Sequence, residues 1–388
     1  MSFQVKTQPQ DFIVEEIASL PFSKNGDFGA YRLKKQGWNT VELLISLSQK
    51  LKIPFKNFSY GGRKDRHGIA TQYITIRAPK RAAIQGDDFV LSFLGRMQRP
   101  MGPDLITENR FEIVVRRLSA DDIGKALTEI EGVEACGYPN YFDDQRFGSL
   151  DETQGFLAER ILKKQFNGAL KIYLTSARRE DKKEEKERKH FFFEHWREWK
   201  ICRQKARTEN EIRAFDYLIN HPTGFTDLLK QMPRWELSAY ISAYQSFIWN
   251  EVLRRFIKSV INGPLKSHKG IAGNYIFYVN LSGEDYLYLK GLIIPVPGSK
   301  LKVQNDDELK SIYAQVMQDN GIKVSMFNNV KLRQAYFKSF ERMAIVMPRD
   351  LNFSAKDDDL YPGKKKIILK FSLPRGSYAT MLVKRIFS

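Results

Sequence analysis

The chain has 388 residues, and its 63 Lys and Arg against 45 Asp and Glu give a formal net charge of +18. A hydrophobic content of 42% excludes a disordered protein, and the length suffices for about two domains. So strong a positive charge favours a polyanionic partner, with nucleic acid expected before an anionic membrane surface.

The cysteines, Cys136 and Cys202, form no C-x-x-C unit, so the sequence predicts neither a zinc site nor a redox pair. The first residues lack the apolar core of a secretory signal, and no apolar run approaches the ~18 residues of a membrane span. We therefore expect a protein of the reducing cytoplasm that binds no metal and does not enter a membrane.

The first 151 residues have the pattern of a mixed α+β domain. Strands are predicted at residues 11–17, 73–78, 88–95 and 110–118. One helix is predicted to begin at Asn39, because Glu42 three residues later resembles a capping box. Another is predicted to begin near Ser119 and to end near Gly132, since glycine commonly terminates helices.

The middle of the chain has a different character. Residues 178–207 hold 12 Lys or Arg and seven Asp or Glu around several aromatic residues. Such mixed charge favours a solvated helix face, and RNA contact through the aromatic residues is the alternative. A long helix is predicted at residues 235–257, where an apolar stripe suits burial.

The C-terminal end returns to the character of the first 150 residues, with a strand predicted at 366–371. This return indicates a domain inserted into a split outer domain. We predict an outer domain of residues 1–151 and 336–388, and an inserted domain of residues 152–335.

The segment YGGRKDRHGIAT, residues 60–71, places one carboxylate, Asp65, among basic or potentially basic side chains. Neighbouring positive charge keeps an aspartate ionised, and an ionised aspartate can act as a nucleophile or a general base. Considered alone, the segment favours an ordinary surface turn in which the aspartate caps backbone amides.

Three further segments combine aromatic, amide and small residues. GYPNYFDDQRFGS, residues 137–149, has the residue types that stack on a flipped-out base and contact its edge. LPRGSYAT, residues 373–380, could contact a phosphate and stack a base, and PQDFIVEE, residues 9–16, has the pattern of a strand with an exposed acidic edge. Each segment alone is also compatible with a purely structural role.

Together and in this order, the four segments resemble the motifs of the TruD family of pseudouridine synthases. GRKDRHGIATQ is similar to the catalytic loop G-x-K-D-x-x-A-x-T-x-Q, with Gly68 where alanine is usual. PNYFDDQRFG is similar to P-N-Y-F-G-x-Q-R-F-G, with Asp143 in place of a glycine. PQDFIVEE and LPRGSYAT resemble P-E-D-F-x-V-x-E and L-P-x-G-S-[FY]-A-T. The resemblance is weakest around residues 165–235 and 260–335.

The resemblance implies roles for particular residues. Asp65 occupies the place of the family's catalytic aspartate, which either attacks the ribose carbon or removes a neighbouring ribose proton, and the sequence leaves both routes open. A further set of residues is implied to hold or stack the base: Phe12, Asn140, Phe142 and Tyr378. Lys6 is implied to pair with Asp65, with Lys64 and Arg146 as alternatives.

The resemblance also implies an α+β fold, in which a pseudouridine-synthase core, a mixed and largely antiparallel sheet with flanking helices, carries an inserted TRUD α/β domain. The implied substrate is tRNA, with uridine thirteen of the D arm as the family's typical target. The implied reaction needs no cofactor, and we predict no obligatory protein partner.

The sequence leaves three other functions open. A non-catalytic RNA-binding protein on the same fold would share the charge and the aromatic residues, but it would gain nothing from a carboxylate beside RNA. A base-excising enzyme would usually employ two carboxylates, of which only one stands out here. A membrane-surface protein would need a basic amphipathic helix with a continuous apolar face, which the sequence lacks.

Overall fold

The computed structural model describes residues 3–64, 66–77, 84–178, 180–330, 332 and 334–388, and the chain divides into two compact units. The first unit comprises residues 1–138 and 346–388, and the second comprises residues 139–345. The junctions between the units therefore lie at 138/139 and 345/346, whereas the sequence predicts them at 151/152 and 335/336.

In the described residues, the N-terminal part of the first unit contains eight strands and two α-helices. The strands are β1 (Gln4–Val5), β2 (Phe12–Ala18), β3 (Phe28–Gln36), β4 (Phe58–Tyr60), β5 (Ile69–Arg77), β6 (Ile84–Gly86), β7 (Phe89–Met97) and β8 (Ile106–Leu118). The helices are α1 (Thr40–Leu51) and α2 (Ala120–Cys136).

Both helices begin where the sequence predicts. The Asn39 side chain accepts a hydrogen bond from the Glu42 amide, and Ser119 forms a capping box with Asp122. The predicted end of α2 near Gly132 is wrong. The helix continues because Val133 and Cys136 remain buried in its apolar stripe, and it ends at Gly137, whose φ of 66° suits glycine.

The second unit is mainly helical. Its helices are α3 (Leu157–Leu162), α4 (Phe166–Thr175), α5 (Lys183–Glu194), α6 (Trp199–Lys205), α7 (Glu209–Asn220), α8 (Phe225–Lys230), α9 (Arg234–Val260), α10 (Gly283–Gly291), α11 (Asp307–Asp319) and α12 (Val324–Asn328). Short strands β9 (Tyr138–Pro139) and β14 (Ile345–Val346) lie at the two junctions. Two antiparallel pairs lie between them: β10 (Leu265–Gly270) with β11 (Gly273–Tyr278), and β12 (Ile293–Val296) with β13 (Phe340–Met343).

The highly charged segment at residues 178–207 forms α5, α6 and their flanks. Its charges pair with one another and with α7, as in the ion pairs of Lys189 with Asp181 and of Arg188 with Glu211. Phe192 is buried against Phe215 of α7. The ion pairs agree with the prediction of a solvated helix face for the charges, and the burial of Phe192 is a further finding of the structure.

The first unit is completed by β15 (Arg349–Asp357), β16 (Lys365–Pro374) and α13 (Ala379–Ile386). Its ten-stranded sheet has the order β15-β16-β8-β2-β5-β3-β7-β6, while β1 pairs with β8 and β4 with β5. The pair β2–β5 is parallel, and the other strand pairs of this sheet in the described residues are antiparallel. The predicted α+β fold with a mixed, largely antiparallel sheet is therefore confirmed.

Helix α1 covers one end of this sheet, and its leucines make the core there. The apolar cluster contains Leu43, Leu44 and Leu47 from α1 and six residues from the sheet: Tyr31, Leu33, Phe58, Ile74, Ile76 and Leu91. Burying apolar surface of this kind supplies most of the driving force for folding. The core therefore fixes β4 and β5, the two strands that bracket the Asp65 loop. Within the described parts of the chain, no helix has the length and apolar character needed to cross a membrane.

Candidate active site

The loop that carries Asp65 joins β4 to β5 at residues 61–68. Asp65 itself lies outside the described residues, while Lys64 and Arg66 on either side of it are described. Strand β5 runs parallel to β2, with Ile69 opposite Ile13. The loop therefore ends beside the beginning of β2, where Phe12 lies.

The main chain of the loop is held before Asp65. The Lys64 amide donates a hydrogen bond to Thr40 Oγ1 at 2.8 Å, and the Lys64 carbonyl accepts one from Lys35 Nζ at 3.3 Å. Thr40 in turn donates to Gln72 Oε1 at 2.8 Å, and the Gln72 amide reaches the Gly62 carbonyl at 3.4 Å. The N-terminal half of the loop is thus anchored to α1, β3 and β5.

The Lys64 side chain points into the sheet. Its Nζ lies 3.1 Å from Glu16 Oε1 and donates a hydrogen bond to Asn109 Oδ1. Glu16 is fully buried, so the predicted exposed acidic edge of residues 9–16 is wrong at this position. The reason is that Glu16 Oε2 accepts a hydrogen bond from the Tyr73 amide, which draws the carboxylate inward. Burial raises the pKa of Glu16, and the Lys64 ammonium and the Tyr73 amide oppose that rise.

Gly68 brings the far end of the loop against Phe12. Its φ is 141°, a conformation that side-chain-bearing residues rarely adopt. An ideal Cβ at this position would lie 2.5 Å from the Phe12 carbonyl oxygen, which is closer than real Cβ atoms approach. The replacement of the family's alanine by glycine is therefore required by this backbone.

Lys6 and Phe12 are in direct contact. Lys6 Nζ lies 4.2 Å from the centroid of the Phe12 ring, within the range of a cation–π interaction. The Phe12 ring also packs edge-on against Phe111, with 6.1 Å between the two ring centroids. The structure thus brings together two of the residues that the resemblance implies, beside the loop of Asp65.

Asp11, which the sequence analysis did not single out, fixes the start of β2. Its carboxylate accepts hydrogen bonds from the Gln8 amide at 3.1 Å and from Arg116 Nε at 3.0 Å. Arg116 also pairs with Asp358 at 2.8 Å, so a buried guanidinium joins β8 to the segment before β16. The position of Asp11 directly before Phe12 in PQDF was the signal that could have identified it.

Tyr378 ends the turn after β16 and precedes α13. It is half-buried, and its carbonyl accepts a hydrogen bond from the Tyr138 hydroxyl at 3.4 Å. Gly376, two residues earlier, has a φ of 89°, which allows the tight turn. Arg375 in the same turn is exposed, and its charge opposes the rise that burial causes in the pKa of Glu16. This turn therefore belongs to the surroundings of Glu16.

Asn140 and Phe142 lie in the second unit, where they contact other side chains of the protein. Arg342 donates hydrogen bonds to the Asn140 carbonyl at 2.8 Å and to Asn140 Oδ1 at 2.7 Å. Its guanidinium lies 4.1 Å from the centroid of the Phe142 ring, and the Trp249 ring contacts the same ring edge-on at 5.4 Å. Asn250 hydrogen-bonds to both main-chain groups of Phe142 at 2.9 Å, and only 2% of Phe142 is exposed.

The predicted site residues therefore fall into two groups. Lys6, Phe12 and Tyr378 belong to the first unit, whereas Asn140 and Phe142 belong to the second. Of the alternative partners for Asp65, Lys64 contacts Glu16 and Asn109, and Arg146 lies 5.6 Å from the Phe142 ring centroid in the second unit. The partner of Asp65 stays a prediction.

Comparisons with known proteins agree along nearly the whole chain. The family model described as tRNA pseudouridine synthase D (TruD) matches residues 1–282 and 290–386. A Methanococcus maripaludis protein named "Probable tRNA pseudouridine synthase D 1" is 34% identical over 397 residues, covering 100% of both chains. A Leptospira interrogans protein named "tRNA pseudouridine synthase D" is 30% identical over 396 residues, covering 99% of this chain and 96% of its own.

The fold has a counterpart among solved structures. A Methanosarcina mazei chain, whose crystal structure is described as that of the "Putative tRNA pseudouridine synthase D (TruD)", superposes with a TM-score of 0.72 at 25% identity. The match covers 99% of this chain and 93% of that one.

Proposed function

Because the chain belongs to the TruD family of tRNA pseudouridine synthases, we propose that it isomerises a uridine of tRNA to pseudouridine, at uridine thirteen of the D arm, with Asp65 as the catalytic carboxylate. The observation that carries this proposal is the family match over residues 1–282 and 290–386, which includes the complete Asp65 loop. We expect the enzyme to act in the cytoplasm.

In the reaction, the bond between N1 of the base and C1′ of the ribose breaks, the base turns, and C5 forms a bond to C1′. The proton on C5 leaves to solvent, and N1 acquires a proton, so no electrons are gained or lost overall. Asp65 either attacks C1′ or removes the proton on C2′. Both routes require an ionised carboxylate within reach of the ribose, and Arg63 and Arg66 near it in the sequence favour the ionised form.

The target uridine has to leave the base stack before it can react. We assign base stacking to Phe12 and Tyr378, and the pairing with Asp65 to Lys6. Lys6 lies over the Phe12 ring, so its charge is held beside the end of the loop. Asn140 and Phe142 are proposed as substrate-binding residues from their motif alone.

The test is the release of tritium from tRNA labelled at uridine C5, with the purified chain alone. We expect release by the native protein, none by Asp65→Ala, and unchanged tRNA binding in that variant. Glu42→Gln is the matched control, because Glu42 pairs with Arg66 at the exposed side of the same loop and should be dispensable. A tRNA with cytidine at position thirteen should release nothing.

Other outcomes would identify other functions. Free uracil in the reaction would indicate a base-excising enzyme, and tRNA binding without any release would indicate a non-catalytic RNA-binding protein. Full activity in Asp65→Ala would overturn the assignment of the catalytic residue.

A further inference from the structure

A buried carboxylate lies under the catalytic loop, where it cannot contact RNA. Glu16 of β2 and Asn109 of β8 face each other in the sheet, and Glu16 is fully buried. Both side chains contact the ammonium of Lys64, the residue directly before Asp65. Two neighbouring strands thus present a carboxylate and an amide oxygen to one cation.

Three groups of Lys64, its ammonium, its amide and its carbonyl, each contact a neighbouring residue. Its ammonium contacts Glu16 and Asn109, its amide donates to Thr40, and its carbonyl accepts from Lys35. Its side chain is only 13% exposed, whereas the side chain of Arg66, on the other side of Asp65, is 53% exposed in an ion pair with Glu42. The loop is therefore anchored before Asp65 much more firmly than after it.

A buried ion pair is not by itself a strong source of stability, because taking both charges out of water offsets their attraction. The more informative property of the Glu16–Lys64 pair is the position that it imposes on the loop. Reactive groups have to be held within about 1 Å of their productive positions, and a displacement of that size lowers a rate on the order of 10²-fold. Because Glu16 holds the side chain of Lys64, it can determine where the main chain places the next residue, Asp65.

We propose that Glu16 is a positioning residue for the reaction: it acts through the Lys64 ammonium to fix the loop that carries Asp65. This proposal rests on the proposed role of Asp65 as the catalytic carboxylate. Asn109 completes the same anchor from β8. Neither Glu16 nor Asn109 touches the substrate.

The test compares Glu16→Gln with Glu15→Gln. Glu15 is the adjacent residue on β2, but it pairs with Arg32 at the surface, so its substitution is a matched control. For each variant we would measure the single-turnover rate of tritium release, the Kd for tRNA, and the melting temperature. Glu16→Gln should lower the rate on the order of 10²-fold while the Kd changes less than about twofold. Glu15→Gln should leave all three unchanged.

A double-mutant cycle distinguishes positioning from a general loss of structure. If Glu16 acts through Lys64, the variant Glu16→Gln/Lys64→Gln should be no slower than Lys64→Gln alone, because the two residues work as one unit. Additive losses, a native rate in Glu16→Gln, or a loss of tRNA binding in proportion to the rate would each overturn the proposal.

If Glu16→Gln does not fold, Asn109→Ala is the variant that tests the proposal. It removes one contact to the Lys64 ammonium without leaving a buried charge unpaired, and it should lower the rate with an unchanged Kd. A native rate in Asn109→Ala would then overturn the proposal. An inactive native protein would instead contradict the proposed function, so the two failures are distinguishable.

Discussion

The substitution Gly68→Ala introduces the residue that is usual at this position in the family, and we expect it to damage this chain. The positive φ of Gly68 costs a side-chain-bearing residue about 1–3 kcal/mol. In addition, the new Cβ would lie 2.5 Å from the Phe12 carbonyl oxygen, so either the loop or the start of β2 has to move. Gly68 is three residues from Asp65, and a shift of about 1 Å there should lower the rate on the order of 10²-fold.

Gly363→Ala is the matched control for this prediction. Gly363 also has a positive φ, 73°, but its Cβ would meet nothing within 4 Å. It should therefore lose about 1–2 kcal/mol of unfolding free energy and no activity. The assay is single-turnover pseudouridine formation at saturating tRNA, with urea unfolding of each variant. A native rate and native stability in Gly68→Ala, or an equal loss of rate in Gly363→Ala, would refute the reasoning.

Three further predictions concern packing, pH and helix stability. Arg342→Lys should lower activity at least tenfold in a single-turnover assay, because a lysine cannot reproduce the paired hydrogen bonds to Asn140 or the stacking on Phe142. Burial alone would raise the pKa of Asp358, but hydrogen bonds, including that from Arg116, outweigh burial and lower it from 3.8. The stability that this lowering contributes is fully present above the ordinary pKa and is lost as pH falls through the lowered one, so Asp358→Asn should destabilise more at about pH 6 than at about pH 3 in urea unfolding. Gly124→Ala, at an open position in α2, should raise the unfolding free energy by about 0.5–1 kcal/mol, seen as a higher urea midpoint.

Local patterns were sufficient to predict α1, α2 and the strands β2, β5, β7, β8 and β16 of the first unit, but they did not identify β3, β15 or α13. Strand alternation and the caps at Asn39 and Ser119 depend on neighbours within a few residues, and the structure has strands and helices at those places. The end of α2 was mispredicted because packing decided it. Burial of Val133 and Cys136 outweighed the roughly 1 kcal/mol that a glycine costs inside a helix.

The sequence identified residues of the candidate site but not the contacts that hold them in place. The motifs identified Phe12, Asn140, Phe142 and Tyr378, but the side chains that hold two of them come from far along the chain. Arg342 reaches Asn140 across 202 residues, and Asn250 reaches Phe142 across 108. Nothing in the periodicity of β13 or α9 marks either contact, because such pairs are set by the packing of distant elements.

A motif match does not separate the residues that react from those that hold them. In PQDFIVEE, Asp11 fixes the start of the strand through Arg116, and Glu16 fixes Lys64. In the loop, the Lys64 ammonium contacts the buried Glu16, so the cation next to Asp65 in sequence is already engaged with another carboxylate. The ionised Asp65 that the proposed function requires therefore needs a positive charge other than the Lys64 ammonium, and Lys6, held over the Phe12 ring beside the loop, is the first candidate to test. Lys6→Met should then lower the rate most at low pH, where a less stabilised Asp65 carboxylate is protonated first, and a loss that is equal at every pH would contradict a direct pairing of Lys6 with Asp65.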